Sequence, residues 1–193
     1  MDKRQFLAAA LAAASVPAGA QAPVARGKRG PALLTVTGEG VRPNRGPFDP
    51  VRDQMMAKQK LTFAKAHAFD FATLAAMPAR TIRPTLEYDQ KPHALSGPAL
   101  VDVLRAAGVR GAAGKLAMRA VDGYAPVIPM ADAAKYGFIV ATHLDGQPMP
   151  LGGLGPLWAV YDADRFADMA ARPVDQRFAQ CPWGLYHIDV QAA

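Results

Sequence analysis

The chain has a single cysteine, Cys181, among 193 residues. No intramolecular disulfide can form, so the fold must rest on its core, and a thiolate-rich metal site is excluded. Long apolar runs are scarce too. The N-terminal stretch from Phe6 to Val16 falls short of the about 20 residues that a bilayer demands, and Pro17 ends it. The four histidines, His67, His93, His143 and His187, are spaced too widely for a local metal motif such as H-E-x-x-H. Neither a G-x-S-x-G elbow nor a P-loop occurs, so a hydrolase reading has no positive support. The net charge of +6 lacks the aromatic interleaving of nucleic-acid binders. It points away from nucleic acid and toward small anionic ligands.

What is present is an ordinary globular composition, 51% hydrophobic and 20% charged, at a length that suits one domain. Asp2-Lys3-Arg4-Gln5, the apolar run after it and Ala20-Gln21-Ala22 together read as a signal peptide over residues 1–22. Lys3-Arg4-Gln5-Phe6-Leu7 also looks like a twin-arginine signal with its first arginine replaced, so a Tat-like and an ordinary secretory signal both stand. Either route makes the mature protein periplasmic or secreted, with no membrane span after signal removal. Residues 23–30 read as a linker and 31–193 as the domain.

Along that domain the pattern predicts a strand over Ala32 to Thr37, closed by Gly38-Glu39-Gly40, then an irregular Pro/Gly/Arg-rich loop. Asp49-Pro50 is expected to open a short helix through Lys58, and Leu61 to Ala66 to form a strand. Asp70 should cap the turn FATLAAM. Thr81–Tyr88 and His93–Leu95 read as strands, and Ser96-Gly97-Pro98 as the opening of a helix striped by Leu100, Val101, Val103, Leu104 and Ala107 and stopped by Gly108. A strand over Lys115 to Val121, a turn at Asp122-Gly123 and a helix over Met130 to Lys135 follow. Two buried runs, Phe138–Ala141 and Leu157–Tyr161, should be neighbouring strands. A helix near Ala163–Ala171 and a strand over Leu185–Val190 complete an α+β domain with mixed sheets and a few short helices.

The segments FDFATLAAMPARTI, LSGPALVDVLRAAGV, RAVDGYAPVIPMADA, ATHLDGQPMP, LGPLWAVY and WGLYHIDV, in this order, resemble the oxidoreductase molybdopterin-binding domain family, the sulfite oxidase fold. The resemblance covers roughly residues 31–190. It implies molybdopterin as a possible cofactor, held through a cysteine thiolate in the region before the GPALVDVLRAAG helix. Here that region reads TIRPTLEYDQKPHALSG and has no cysteine. The resemblance also implies an arginine where Trp158 stands and a lysine where Pro182 stands, cations that would pair the pterin phosphate. The chain therefore resembles a small branch of the family that lacks the metal-ligating cysteine, and fold alone does not carry chemistry.

The same resemblance gathers Tyr88, Asp122, Tyr124, His143, Gly152, Gly153, Gly155 and Trp158 as candidate ligand-binding residues. No catalytic residue is assigned and no metal ligand is expected. From the residues alone, Gly152-Gly153-Leu154-Gly155 offers either a nest of N–H groups for an anion or a tight turn between core strands. Trp158 and Trp183, with Tyr88 and Tyr124, can wall a pocket that stacks a flat ligand, although core packing suits Trp183 better. Cys181 is read as a partly buried inert thiol, far along the chain from residues 85–97. Three functions stay open. The first is a periplasmic binding module for a pterin-like or small anionic ligand, serving a membrane sensor or partner enzyme, with redox chemistry lost. The second is an oxidoreductase whose metal ligand is Glu87, His143 or Cys181. The third is a ligand-free interaction protein.

Overall fold

A computed structural model describes residues 30–193. The signal peptide and most of the linker expected from sequence lie outside the described residues. In chain order the elements are β1 (Ala32–Gly38), α1 (Gln54–Lys58), β2 (Ala66–Asp70), α2 (Phe71–Ala75), β3 (Ala79–Ile82), β4 (Leu95–Pro98), α3 (Leu100–Ala106), β5 (Lys115–Ala120), β6 (Val127–Pro129) and α4 (Met130–Lys135). Then come β7 (Ile139–Ala141), β8 (His143–Leu144), β9 (Gln147–Pro148), β10 (Trp158–Val160), a 3-10 turn at Ala163–Arg165, α5 (Ala167–Ala170), α6 (Val174–Arg177) and β11 (Leu185–Gln191). The architecture is α+β, with several sheets and only short helices. Among the described residues no helix is long and apolar enough to cross a membrane.

The largest sheet runs β2-β1-β11-β5-β6. Its centre joins the first and last strands in parallel, Thr35 opposite His187 and Gly38 opposite Val190, while β2 and β5 flank them antiparallel. There are also a four-stranded sheet, β3-β4-β8-β9, and a two-stranded pair, β10-β7. The two buried runs are antiparallel neighbours as expected, Trp158 opposite Ala141 and Val160 opposite Ile139. All six of these strand residues are buried. They belong to one hydrophobic cluster with Leu34, Leu100, Leu104, Leu116, Met118 and Ile188.

Several local expectations change. Residues 61–65 form no strand. β1 leaves the sheet at Gly38, whose φ is +96°, and its pairing with β2 starts at Thr37 opposite Ala66, so β1 does not extend beside the preceding residues, and Phe63 O instead accepts from Phe48 N at 2.9 Å. Strand β3 stops at Ile82, ahead of Pro84, which has no N–H to donate. The chain then turns, with Gln90 N donating to Leu86 O at 2.9 Å. Asp49 caps a turn rather than a helix, accepting from the N–H groups of Val51 and Arg52, and α1 begins only at Gln54. The segment 163–171 breaks into a 3-10 turn and α5 because Phe166 is extended (φ −119°, ψ 116°), with its ring set edge-on to Tyr136.

The largest correction concerns Ser96-Gly97-Pro98. These residues are the strand β4, not a helix opening, and α3 starts only at Leu100. β4 crosses β7 so closely that a Cβ on Gly97 would lie 2.0 Å from the Val140 carbonyl oxygen. No side-chain motion can relieve a clash with backbone. Gly97→Ala is therefore expected to cost roughly 3 kcal/mol or more, at or beyond the upper end of overpacking penalties, as measured by chemical denaturation. A loss below about 1 kcal/mol would show that the two strands separate freely.

One polar cluster is built into the sheet centre. Thr37 donates from Oγ1 to Asp189 Oδ1 at 2.8 Å, and His187 Nε2 lies 2.9 Å from the same hydroxyl. With its only proton given to the carboxylate, the hydroxyl accepts from an Nε2–H, which places a ring proton on Nε2, and burial disfavours a second proton on Nδ1. Burial pushes the His187 pKa from 6.5 down to about 4; Asp189 opposes that shift and Arg119 adds to it. The unfolded chain therefore binds the extra proton first. Stability from this group is complete above pH 6.5 and is lost as pH falls toward 4, by at most about 3 kcal/mol. Unfolding free energies measured across that range should fall with acid in the parent chain and flatten in His187→Gln. Equal slopes would refute the buried neutral histidine.

Candidate functional site

A cavity of about 290 Å³ opens where the entrance to β11 meets the end of β5, the end of β10 and the loop after β3. Its position follows from local pairing. Trp183 bridges Trp158 across the β10 edge, Ala159 N donates to Pro182 O at 3.2 Å, and Leu185 N to Leu157 O at 2.9 Å. These bonds fix Cys181, Pro182 and Trp183 against β10. The Asp122-Gly123 turn closes another side, with Asp122 Oδ1 accepting from Tyr124 N at 2.8 Å. Tyr124 crosses to the far wall, where its hydroxyl donates to Ala179 O.

The walls are aromatic. Tyr88, Tyr124, Trp158, Phe178 and Trp183 all line the cavity. Trp158 is buried and donates its indole N–H to Cys181 O at 2.9 Å, packing on Phe178 with ring centroids 6.1 Å apart. Trp183 is 38% exposed, so core packing does not describe it, because its ring sits at the cavity rather than inside the cluster. The Tyr88 hydroxyl is pushed up to about 12, first by loss of water and then by the neighbouring Glu87 carboxylate, against the pull of the Trp183 indole.

The charged lining has one sign. Glu87, Asp122 and Asp175 contribute carboxylates, and no lysine, arginine or histidine lines the cavity. None of the three joins an ion pair among the described residues. Arg119 lies near the turn but is not part of the lining, donating at 3.4 Å to Gly123 O. The expected anionic ligand thus finds no cation in this cavity to receive it.

Four of the eight candidate residues, Tyr88, Asp122, Tyr124 and Trp158, converge here; the others do not. His143 lies in a separate groove with Leu74, Ala79, Gly97 and Gly146, bonded through Nδ1 to Thr142 Oγ1 at 2.8 Å and packed on Phe71. Gly152 and Gly153 are exposed and outside the lining, and Gly153 N donates back to Pro150 O. That bond closes a tight turn on the way from β9 to β10. Gly155 is buried against Met149, where a Cβ would meet the Met149 carbonyl oxygen at 2.3 Å. Asp175 and Phe178, on and just after α6, are lining residues that the sequence did not mark.

Elsewhere His93 sits between two carboxylates, Nδ1 at 2.7 Å from Asp145 Oδ2 and Nε2 at 3.0 Å from Asp89 Oδ2. Both bonds raise its pKa, and the trio pins the 86–93 loop to the β8–β9 turn. Among the described residues no group of three or more His, Cys, Asp or Glu side chains is placed to hold a metal ion.

Cys181 is the surprise of the lining. It sits beside Glu87 and Tyr88, so the 85–97 region and the sole thiol meet in space despite their distance along the chain. The residue is buried, and burial pushes its thiol well above the ordinary range, with Glu87 adding to that and the Tyr161 backbone N–H opposing it. A thiol held neutral is a poor metal ligand and nucleophile. Molybdopterin of the kind the resemblance implies does not fit this donor set, which offers a protonated thiol and no cation for a phosphate. Native protein at pH 8 should label with a thiol reagent at least a hundredfold more slowly than the denatured chain. Comparable rates would overturn the buried, neutral thiol.

No family model and no curated protein matches the chain. Among solved structures it is similar to the sulfane dehydrogenase SoxCD from Paracoccus pantotrophus, with a TM-score of 0.54 and 13% sequence identity. The match covers 83% of this chain and 38% of that one, so the likeness is one of fold and spans well under half of the larger protein.

Proposed function

We propose that the protein is an exported binding module for a small molecule, built on an oxidoreductase-like fold without the redox machinery. The observation that carries this reading is the aromatic cavity, whose lining combines a protonated thiol with carboxylates and has no cation. A concave, mostly apolar surface with a few convergent polar groups is what small-ligand sites require, and about 290 Å³ stands at their lower end. Partners such as a periplasmic sensor or enzyme suit a module that binds without turning over. Export rests on the N-terminal segment, outside the described residues.

The rival reading is a molybdenum oxidoreductase with an unusual ligand, and the place of Cys181 in the cavity wall favours it. Purification from the native host, followed by metal analysis and mass spectrometry of released small molecules, separates the two. The module reading expects a released organic ligand and no stoichiometric molybdenum. Stoichiometric molybdenum that disappears in Cys181→Ser would establish the enzyme instead.

A further inference from the structure

We infer that the cavity recognises an organic cation, best a methylated ammonium group on a small molecule. The inference rests on the binding-module reading above and names its ligand class. Five aromatic residues, Tyr88, Tyr124, Trp158, Phe178 and Trp183, line a space of about 290 Å³. Aromatic faces carry negative quadrupole charge, and a cation within about 6 Å of a ring is attracted, more strongly once desolvated. Around the same space stand Glu87, Asp122 and Asp175, with no cation in the lining and no ion-pair partner among the described residues. The chain as a whole carries +6, so this acidic enclave runs against its average charge.

Other ligand classes fit less well. An anion would face three carboxylates with nothing to pair it. A compact metal ion needs several donors converging within about 2–2.6 Å. Glu87, Asp122, Asp175 and Cys181 share one cavity, yet no three of them are placed to hold a metal. Carboxylates set apart around aromatic walls suit a bulky, charge-diffuse cation, which fills the space and touches the rings while its field reaches the acids.

The test uses the two tryptophans the chain possesses, Trp158 and Trp183, both in the lining. Their fluorescence is followed while the purified protein is titrated with choline, with its uncharged carbon isostere 3,3-dimethyl-1-butanol, with inorganic phosphate and with magnesium. Choline should saturate the signal at least tenfold more tightly than the isostere, and phosphate and magnesium should leave it unchanged. Glu87→Gln and Asp175→Asn should each weaken choline at least threefold without altering the isostere, and Trp183→Leu should weaken both; thermal melts confirm that each variant is folded. Equal affinity for choline and the isostere, tighter binding of phosphate or magnesium, or unchanged choline affinity in both acid variants would overturn the cation. A neutral or anionic molecule released from native protein would also overturn it while sparing the binding module. If no probe moves the signal, the cation is refuted, and if native protein also releases nothing, the module falls with it.

Discussion

The parallel pairing of β1 with β11 is the constraint on which the rest of the molecule depends. It joins the two ends of the described chain at the centre of the main sheet, with Glu39 N donating to Val190 O at 2.8 Å as β1 turns away. The approach is close enough that a Cβ on Gly38 would lie 2.1 Å from the Val190 oxygen. Once β11 is fixed, everything at its entrance is fixed with it. β5 pairs along its other edge and delivers the Asp122-Tyr124 turn, while residues 181–185 are drawn against β10. The cavity is the gap that remains where these connections meet.

The sheet centre and the cavity divide the polar chemistry of the chain between them. Within the sheet, Thr37, His187 and Asp189 satisfy one another, and the neutral imidazole is the form that burial tolerates. At the cavity, Glu87, Asp122 and Asp175 have no ion-pair partner among the described residues and stand beside apolar rings. A closed polar network serves stability, whereas carboxylates left unneutralised at a concave surface keep their charge available to a ligand.

How much was legible in the sequence depended on whether a signal was local. The strand over Ala32–Thr37, the helix over Met130–Lys135, the Asp70 cap and the paired runs at 139–141 and 158–160 could be read from periodicity and turn residues because those forces act within a few positions. Ser96-Gly97-Pro98 misled because Gly97 answers to a strand crossing β7, a contact with Val140 far along the chain. Residues 61–65 had strand composition but lie beyond the end of the β1–β2 ladder, which begins at Ala66. In the site, the order of segments that carries the resemblance grouped Tyr88, Asp122, Tyr124 and Trp158, which line one cavity, while His143 and the 152–155 glycines were not brought to it. Asp175 and Phe178 carry no local mark, since only the docking of the short helix α6 makes them lining residues.

The two positions where the resemblance implied cations, Trp158 and Pro182, both line the same cavity. Departures 24 positions apart in sequence thus converge on one place, and they act in one direction. A tryptophan in place of an arginine removes a positive fork, and a proline in place of a lysine removes a second positive charge. Glu87, in the segment where the resemblance implies a thiolate, adds a carboxylate to the same lining. An uncharged cavity would only lack a hold on an anion, whereas carboxylates beside aromatic rings disfavour an anion and favour a cation, which is the ground on which the proposed ligand class stands.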